Sequence, residues 1–318
     1  MPEFEFNMAI KKTEWLVEGL FPTGQLGLVL AQAGVGKSLL VENLAVQVVY
    51  GEPFCGFDTV SGDVLILDQD TPETVLYKRL LQFSHQYNGR ERPHKLFVES
   101  MKNYTLQDET VFRLIKDHPT VKLVIIDSLH SICGRLNPNY TTDMSRLSLL
   151  KKKCLRDDLS ILINHHITQK DVFTIDDLML GETNHLAMGN SAIIQQADSY
   201  YIVGATVSEG KADRIYVRPV SKRVSIPSKP VIMRIAQNEE GETLNYEGIY
   251  EPELIDAEID IVTLFREQPI DRTVKEIYEA MGHKHGETAV RKSLSNLESK
   301  GKLLLSRHKA NLFKYKLP

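Results

Sequence analysis

Short apolar runs recur along this chain, and each stops abruptly at polar residues. Leu26 to Leu30, Asp63 to Leu67, Val121 to Ile126 and Ser160 to Ile163 are apolar throughout or nearly so. Runs of that length without alternation are the pattern of strands buried on both faces. Between them, apolar residues return every three or four positions. That spacing predicts helices over Leu39 to Tyr50, Thr71 to about Tyr87, Gln107 to Asp117 and Thr142 to Arg156. Thr71 is a candidate N-cap, and Pro72 suits the first helical position. Leu96 to Ser100 reads as a short strand, and Glu52 to Gly62 as a loop. Gln169 to Leu186 is polar and loop-like, and Gly189 to Ala197 a short helix. Strands follow at Ser199 to Val203, Arg214 to Val217 and Val231 to Ile235. Strands alternating with helices predict an α/β fold with a mainly parallel sheet covered on both faces. In such sheets ligands sit at the carboxyl ends of strands. Asp70, Asp127 and the pair His165-His166 all fall at such ends.

Around Tyr250 to Ala257 this pattern breaks, which divides the chain into a domain over 1–252 and a second over 258–318. The second carries amphipathic helices at Ala257 to Glu267, Thr273 to Met281 and Glu287 to Ser299. Two short strands, Leu303 to Ser306 and Leu312 to Lys316, flank a basic turn. Three helices and a hairpin are the order of a small C-terminal winged-helix domain.

Composition adds limits. At 318 residues, with 42% hydrophobic and 25% charged, the chain is ordinary globular material of two-domain size. No apolar run is long enough to span a bilayer, and Met1 to Lys12 lacks a signal-peptide pattern. Cys55, Cys133 and Cys154 have no metal or redox spacing, so reduced thiols and a cytoplasmic location are expected. Net charge is −4, unevenly spread: residues 258–318 hold 12 Lys+Arg against 8 Asp+Glu, leaving −8 on the remainder. A basic module on an acidic body points to a polyanionic partner.

The clearest chemistry lies between the first buried strand and the first helix, where Ala31 to Ser38 reads AQAGVGKS. Strand, glycine loop ending in Lys-Ser, then helix is the layout of a phosphate-binding loop. The backbone N–H groups of Ala33, Gly34, Val35, Gly36, Lys37, Ser38 and Leu39 would cradle phosphate oxygens at the helix N-terminus. Lys37 would reach the β/γ-phosphates and the Ser38 hydroxyl would hold Mg²⁺, which makes ATP and Mg²⁺ the expected ligands. Ala31 occupies a position where the motif has glycine, and needs φ < 0 there. Asp127, after four apolar residues, would hold Mg²⁺ beside Ser38. Asp70 is the candidate general base, with Asp68 its competitor on the same strand face. One of His165 and His166 is placed to sense the γ-phosphate. Arg214, Arg218, Lys222 and Arg223 are candidates for a cation reaching a neighbouring subunit's γ-phosphate. In the C-terminal module, Arg291, Lys292, Ser295 and Asn296 would form the outer face of a recognition helix. Arg307, His308 and Lys309 would form the wing tip against DNA phosphates.

Taken together, residues 13–235 resemble the RecA-like P-loop ATPase core of hexameric replicative helicases, the group of the plasmid RepA and bacterial DnaB families. WLVEGLFPTGQLGLVLAQAGVGKS resembles the first motif with its lead-in, and VIIDSL the third. DQDTPETVLYKR resembles the second, an acid followed nine positions later by arginine. The resemblance selects Asp70 over Asp68 and adds Arg79 to the nucleotide site. ILINHH resembles the strand that ends in a sensor, a role that falls on His166. MGNSAIIQQAD resembles the segment lining the DNA channel, and Lys222 and Arg223 are nearest to the group's trans-acting finger. Asp70 is one methylene shorter than the group's usual glutamate, and Met188 stands where the channel segment usually begins with arginine. The resemblance implies a DNA-dependent ATPase, a ring-forming replicative helicase of a plasmid, phage or mobile element. Hexamers enclosing single-stranded DNA are the expected assembly, with duplex DNA met by the winged helix. The alternatives are a loader or recombination mediator using ATP as a switch, and a nucleotide-responsive DNA-binding regulator that hydrolyses little.

Overall fold

The computed structural model describes residues 13–106, 109–133, 145–167, 175–180, 192–208, 211–221, 229–238, 241–251, 256–307 and 313–318. It divides into two units, Met1–Tyr250 and Glu251–Pro318.

In the first unit, a small hairpin of β1 (Trp15–Val17) and β2 (Phe21–Pro22) leads into β3 (Leu26–Ala31) and α1 (Lys37–Tyr50). Then come β4 (Asp63–Asp68), α2 (Glu73–His85), β5 (Leu96–Ser100), α3 (Thr110–Asp117) and β6 (Val121–Asp127). They are followed by α4 (Leu129–Cys133), α5 (Ser145–Asp157), β7 (Ser160–His166), α6 (Ile175–Leu180) and α7 (Ala192–Gln196). The unit closes with β8 (Ser199–Ser208), β9 (Lys211–Ser221), β10 (Val231–Asn238) and β11 (Gly241–Ile249). Nine strands form one sheet in the order β11-β10-β9-β8-β3-β7-β6-β4-β5. From β8 to β5 every pairing is parallel, and from β8 to β11 every pairing is antiparallel. The sheet is thus mainly parallel and of the α/β type, as the alternation of strands and helices predicts.

The apolar runs become the central strands because both of their faces are covered. Leu28, Leu65, Ile126 and Ile163 face one layer, packed with Ile115 of α3, Ile132 of α4 and Leu150 of α5. Val29, Ile66, Ile125 and Leu162 face the other, packed with Leu44 of α1 and Leu80 of α2. Helix α1 is apolar nearly all round and is buried over almost its whole length. Such a helix can only be an interior one.

Several elements differ from the sequence pattern. Within the stretch read as loop from Gln169 to Leu186, residues 175–180 form α6. Leu178 and Met179 are buried against the main core, and Leu178 lies close over Gly204 of β8. Burial, not local period, makes this helix. The strands β8 and β9 extend well past the expected bounds, because hairpin pairing from Ser199↔Ser221 to Ser208↔Lys211 carries polar residues along. Strand β11 has no apolar alternation: of its residues only Leu244 is buried, as befits a sheet edge. Helix α2 begins at Glu73 with Pro72 as N-cap. The Thr71 amide instead donates to Asp68 Oδ1 at 2.8 Å, so Thr71 is not the cap.

The second unit holds α8 (Asp256–Glu267), α9 (Val274–Ala280), α10 (Glu287–Ser299), β12 (Leu304–Arg307) and β13 (Phe313–Lys316). Ile261, Phe265, Ile277, Val290, Leu294, Leu297 and Leu303 form its own core. Thr273 caps α9 in a reciprocal box with Glu276. Glu258 of α8 is buried and bonds Lys300 at 2.8 Å, at the end of α10. Removing one partner of a buried pair strands the other charge. Lys300→Ala is therefore expected to destabilise this unit by about 3–5 kcal/mol. Hydrogen exchange checks it: α10 amides should lose protection while those of β3 and β6 keep theirs, and unchanged α10 protection would refute it.

Candidate functional site

Ala31 ends β3 in extended backbone, so it needs no glycine. The chain then turns through Gly34 and Gly36, at φ 79° and 87°, in the left-handed region that side chains resist. A Cβ on Gly36 would also come within 2.7 Å of Ile215 Cδ1. Helix α1 starts with no side-chain cap and no acid in its first turn. Its first amides therefore remain available to an anion, in the field of the helix dipole. Lys37 is 7% exposed at this turn.

Side-chain parity decides what faces this loop. Along β4, Val64 and Ile66 point to the α1 layer, and so does Asp68. Along β6 the same layer receives Leu123, Ile125 and then Asp127; along β7 it receives Leu162, Asn164 and His166. Register aligns them, with Asp68 opposite Asp127 and His166 opposite Ala31. His165 is buried on the opposite face, beside the main core. Ser38 Oγ donates to Asp127 Oδ2 at 2.5 Å. A hydroxyl and a carboxylate in contact beside the phosphate cradle are a fitting donor pair for Mg²⁺.

Asp68 and Asp70 do not share an environment. Asp68 is buried, and its Oδ1 accepts the Asp70 and Thr71 amides at 2.8 Å each. It is the carboxylate that turns the chain. Burial and then the neighbouring Asp127 hold its carboxyl above the usual range, against the pull of these amides. Asp70 lies beyond the strand end and is exposed. His166 is half-buried. Burial and then Lys37 lower its pKa, opposed by Asp127 and Asp70. It therefore stays neutral near physiological pH, with one nitrogen able to donate.

A cleft of ≈ 470 Å³ opens over the loop, lined by Gly34, Gly36, Lys37, Ser38 and Leu39, with Arg79 of α2. Its far wall comes from the late strands: Lys211 and Ala212 of β9, Ile235 of β10 and Glu242 of β11. Ala33 is exposed on the loop, and Val35 packs against the core. Arg79 does not stand alone: its Nη1 donates to Glu42 Oε1 at 3.1 Å. Glu42, on α1, is 3% exposed, and burial pushes its carboxyl up to about 8 against the pull of Arg79. Sequence reasoning missed Glu42, Lys211 and Glu242. For Glu42 there was a signal: it is the one acid inside the apolar run of α1, and a buried charge needs a partner. For Lys211 and Glu242 no local signal existed, because only hairpin pairing brings them to the cleft.

Lys222 and Arg223 lie outside the described residues. Of the other candidate cations, Arg214 is held by Glu247 at 2.6 Å, and Arg218 donates to the Leu178 carbonyl at 3.4 Å. In the second unit, Arg291, Lys292 and Ser295 are exposed on α10, with Arg291 against Glu287 at 2.7 Å. Asn296 is turned inward and donates to Glu258 at 3.1 Å, because it borders the buried row of Leu294 and Leu297. Arg307 ends β12, while His308 and Lys309 lie outside the described residues.

The raised carboxyl of Glu42 has a consequence for stability. A carboxyl held near 8 in the folded chain and at 4.5 when unfolded stabilises the fold fully below 4.5. That contribution is lost as pH rises to about 8. Glu42→Gln removes the loss. Its melting temperature should exceed that of the parent by a margin that grows from pH 5 to about pH 8 and then levels. A margin independent of pH would refute this.

Comparison with known proteins accords with this geometry. The AAA domain family model matches residues 3–171, just over half of the chain. No curated protein matches the sequence. Among solved structures, the KaiC-like protein PH0186 from the hyperthermophilic archaeon Pyrococcus horikoshii OT3 is similar at 17% identity and a TM-score of 0.47. That match covers 72% of this chain and 93% of that one. No helix among the described residues is long and apolar enough to cross a membrane. With its glycine loop, Lys37, Ser38 and Asp127 gathered at the carboxyl ends of a mainly parallel sheet, this chain belongs to the AAA domain family of P-loop ATPases.

Proposed function

We propose that this protein is a Mg²⁺-dependent ATPase that acts on DNA, working as a ring-forming replicative helicase of a plasmid, phage or mobile element. The observation that carries the ATPase part is that Lys37 and Ser38 line one open cleft, with Asp127 bonded to Ser38 and His166 in register with Ala31 at the start of the glycine loop. Uncapped α1 amides and Lys37 would grip the phosphate chain of ATP. Ser38 and Asp127 would hold Mg²⁺, whose charge would offset that of the phosphates. Asp70, free in solvent beyond its strand end, would orient the attacking water and accept its proton. His166 would donate to a γ-phosphate oxygen and register its loss. Lys222 or Arg223 of a neighbouring subunit would supply the finger in a hexamer.

For this reading, wild-type protein should turn over ATP only with Mg²⁺ and faster with single-stranded DNA, and Lys37→Ala should lose about 10²-fold or more. Turnover equal in Lys37→Ala and the parent would defeat it. ATP binding with negligible turnover would instead favour the switch or the regulator.

The DNA part rests on a basic second unit whose α10 exposes Arg291, Lys292 and Ser295. These would meet the major groove, with Arg307 and Lys309 toward phosphates. Arg291→Ala with Lys292→Ala should weaken duplex binding and flatten its salt dependence by about 1–2 in slope. ATP turnover without DNA should not change. An unaltered salt slope would remove α10 from the DNA interface.

A further inference from the structure

Helix α1 contains a single acid, Glu42, one turn beyond Ser38. It is buried between the sheet and α2, where a carboxylate is costly unless it bonds. Its bond is to Arg79, and the form of that bond is informative. Only Nη1 of the guanidinium is used, on Oε1 at 3.1 Å, and Glu42 Oε2 has no hydrogen-bond partner among the described residues. The bond is single, so it leaves the rest of the guanidinium unengaged by Glu42. Arg79 keeps about a third of its side chain exposed (32%) and lines the phosphate cleft. Its remaining N–H groups have no partner among the described residues.

We propose that Glu42 is a positioning residue. From beneath the cleft it anchors one nitrogen of Arg79, so that the rest of the guanidinium is presented to the outer phosphates of a bound nucleoside triphosphate. The inference rests on the nucleotide-binding reading of the cleft. Asp68 and Asp127 are the other acids acting on Glu42, and Arg79 is the cation acting on it. Arg79 can thus bond an acid below and a phosphate above without changing place, which lysine, a point charge, would do poorly.

The test is equilibrium binding of fluorescent ATP and AMP analogues with Mg²⁺. It uses the parent chain and the variants Lys37→Ala, Arg79→Ala, Arg79→Lys, Glu42→Ala, Glu42→Gln and Glu42→Ala/Arg79→Ala. Arg79→Ala should weaken the ATP analogue about tenfold, the worth of one charged hydrogen bond. Glu42→Ala should lose most of the same factor, and the double variant should be no weaker than Arg79→Ala. Glu42→Gln, which keeps an acceptor oxygen, should recover to within about threefold of the parent. AMP affinity should not move in any Glu42 variant. The proposal is overturned if Glu42→Ala weakens AMP and ATP alike, or if its effect adds to that of Arg79→Ala. Should Glu42→Ala not fold, Arg79→Lys decides: binding equal to the parent overturns the proposal, and loss like Arg79→Ala supports it. If Lys37→Ala binds as the parent does, the nucleotide reading itself has failed, and this proposal falls with it.

Discussion

Six neighbouring parallel strands cannot be left open to water on either face, and they all run out at the same edge. Crossover helices must cover both faces to bring each strand back in the same direction. The interior is thereby closed to polar chemistry, and the carboxyl edge is where chains leave the sheet. Everything chemical in the first unit sits there. Strand period then sorts residues between the two layers. Asp68, Asp127 and His166 fall on the side of α1 because they share parity with Ile66, Ile125 and Leu162. His165, one residue away, is lost to the opposite core.

Charge in this confined edge is arranged rather than merely tolerated. Asp68 is consumed by two backbone amides and shapes the turn that throws Asp70 out into solvent. Asp127 accepts the Ser38 hydroxyl. Glu42 takes one nitrogen of Arg79 from below. Three buried acids thus have three different partners, while Lys37 and Arg79 look toward the cleft. The Gln69 amide donates to the Asp127 carbonyl, and the Met101 amide to the Asp68 carbonyl, tying the ends of β4, β5 and β6 into one rigid rim.

The late strands complete the cleft in a different way. The β8–β9 and β10–β11 hairpins continue the sheet antiparallel from β8 and bring Lys211, Ile235 and Glu242 opposite the glycine loop. Ile215 of β9 packs directly on Gly36, so the loop's glycine is demanded by its neighbour as well as by its own backbone. The cleft therefore has one wall built by the core motif and another built by hairpins some two hundred residues away in the chain.

The central strands, the helices between them and the phosphate loop were legible in the sequence. Buried parallel strands need unbroken apolar runs, and a left-handed turn needs glycine, so both leave local marks. The three helices of the second unit were legible for the same reason, through the spacing of Ile261, Val290 and Leu294. Edge strand β11 and helix α6 left no such mark. The first is a mostly exposed edge strand set by backbone pairing to β10, with only Leu244 buried, and the second is formed by burial against β8. Tertiary structure also decided which of Asp68 and Asp70 is buried, which of two histidines faces the loop, and that Arg79 has a partner in Glu42. Each depends on where a strand ends or on which helix lies across it, and a linear order of residues does not contain those distances.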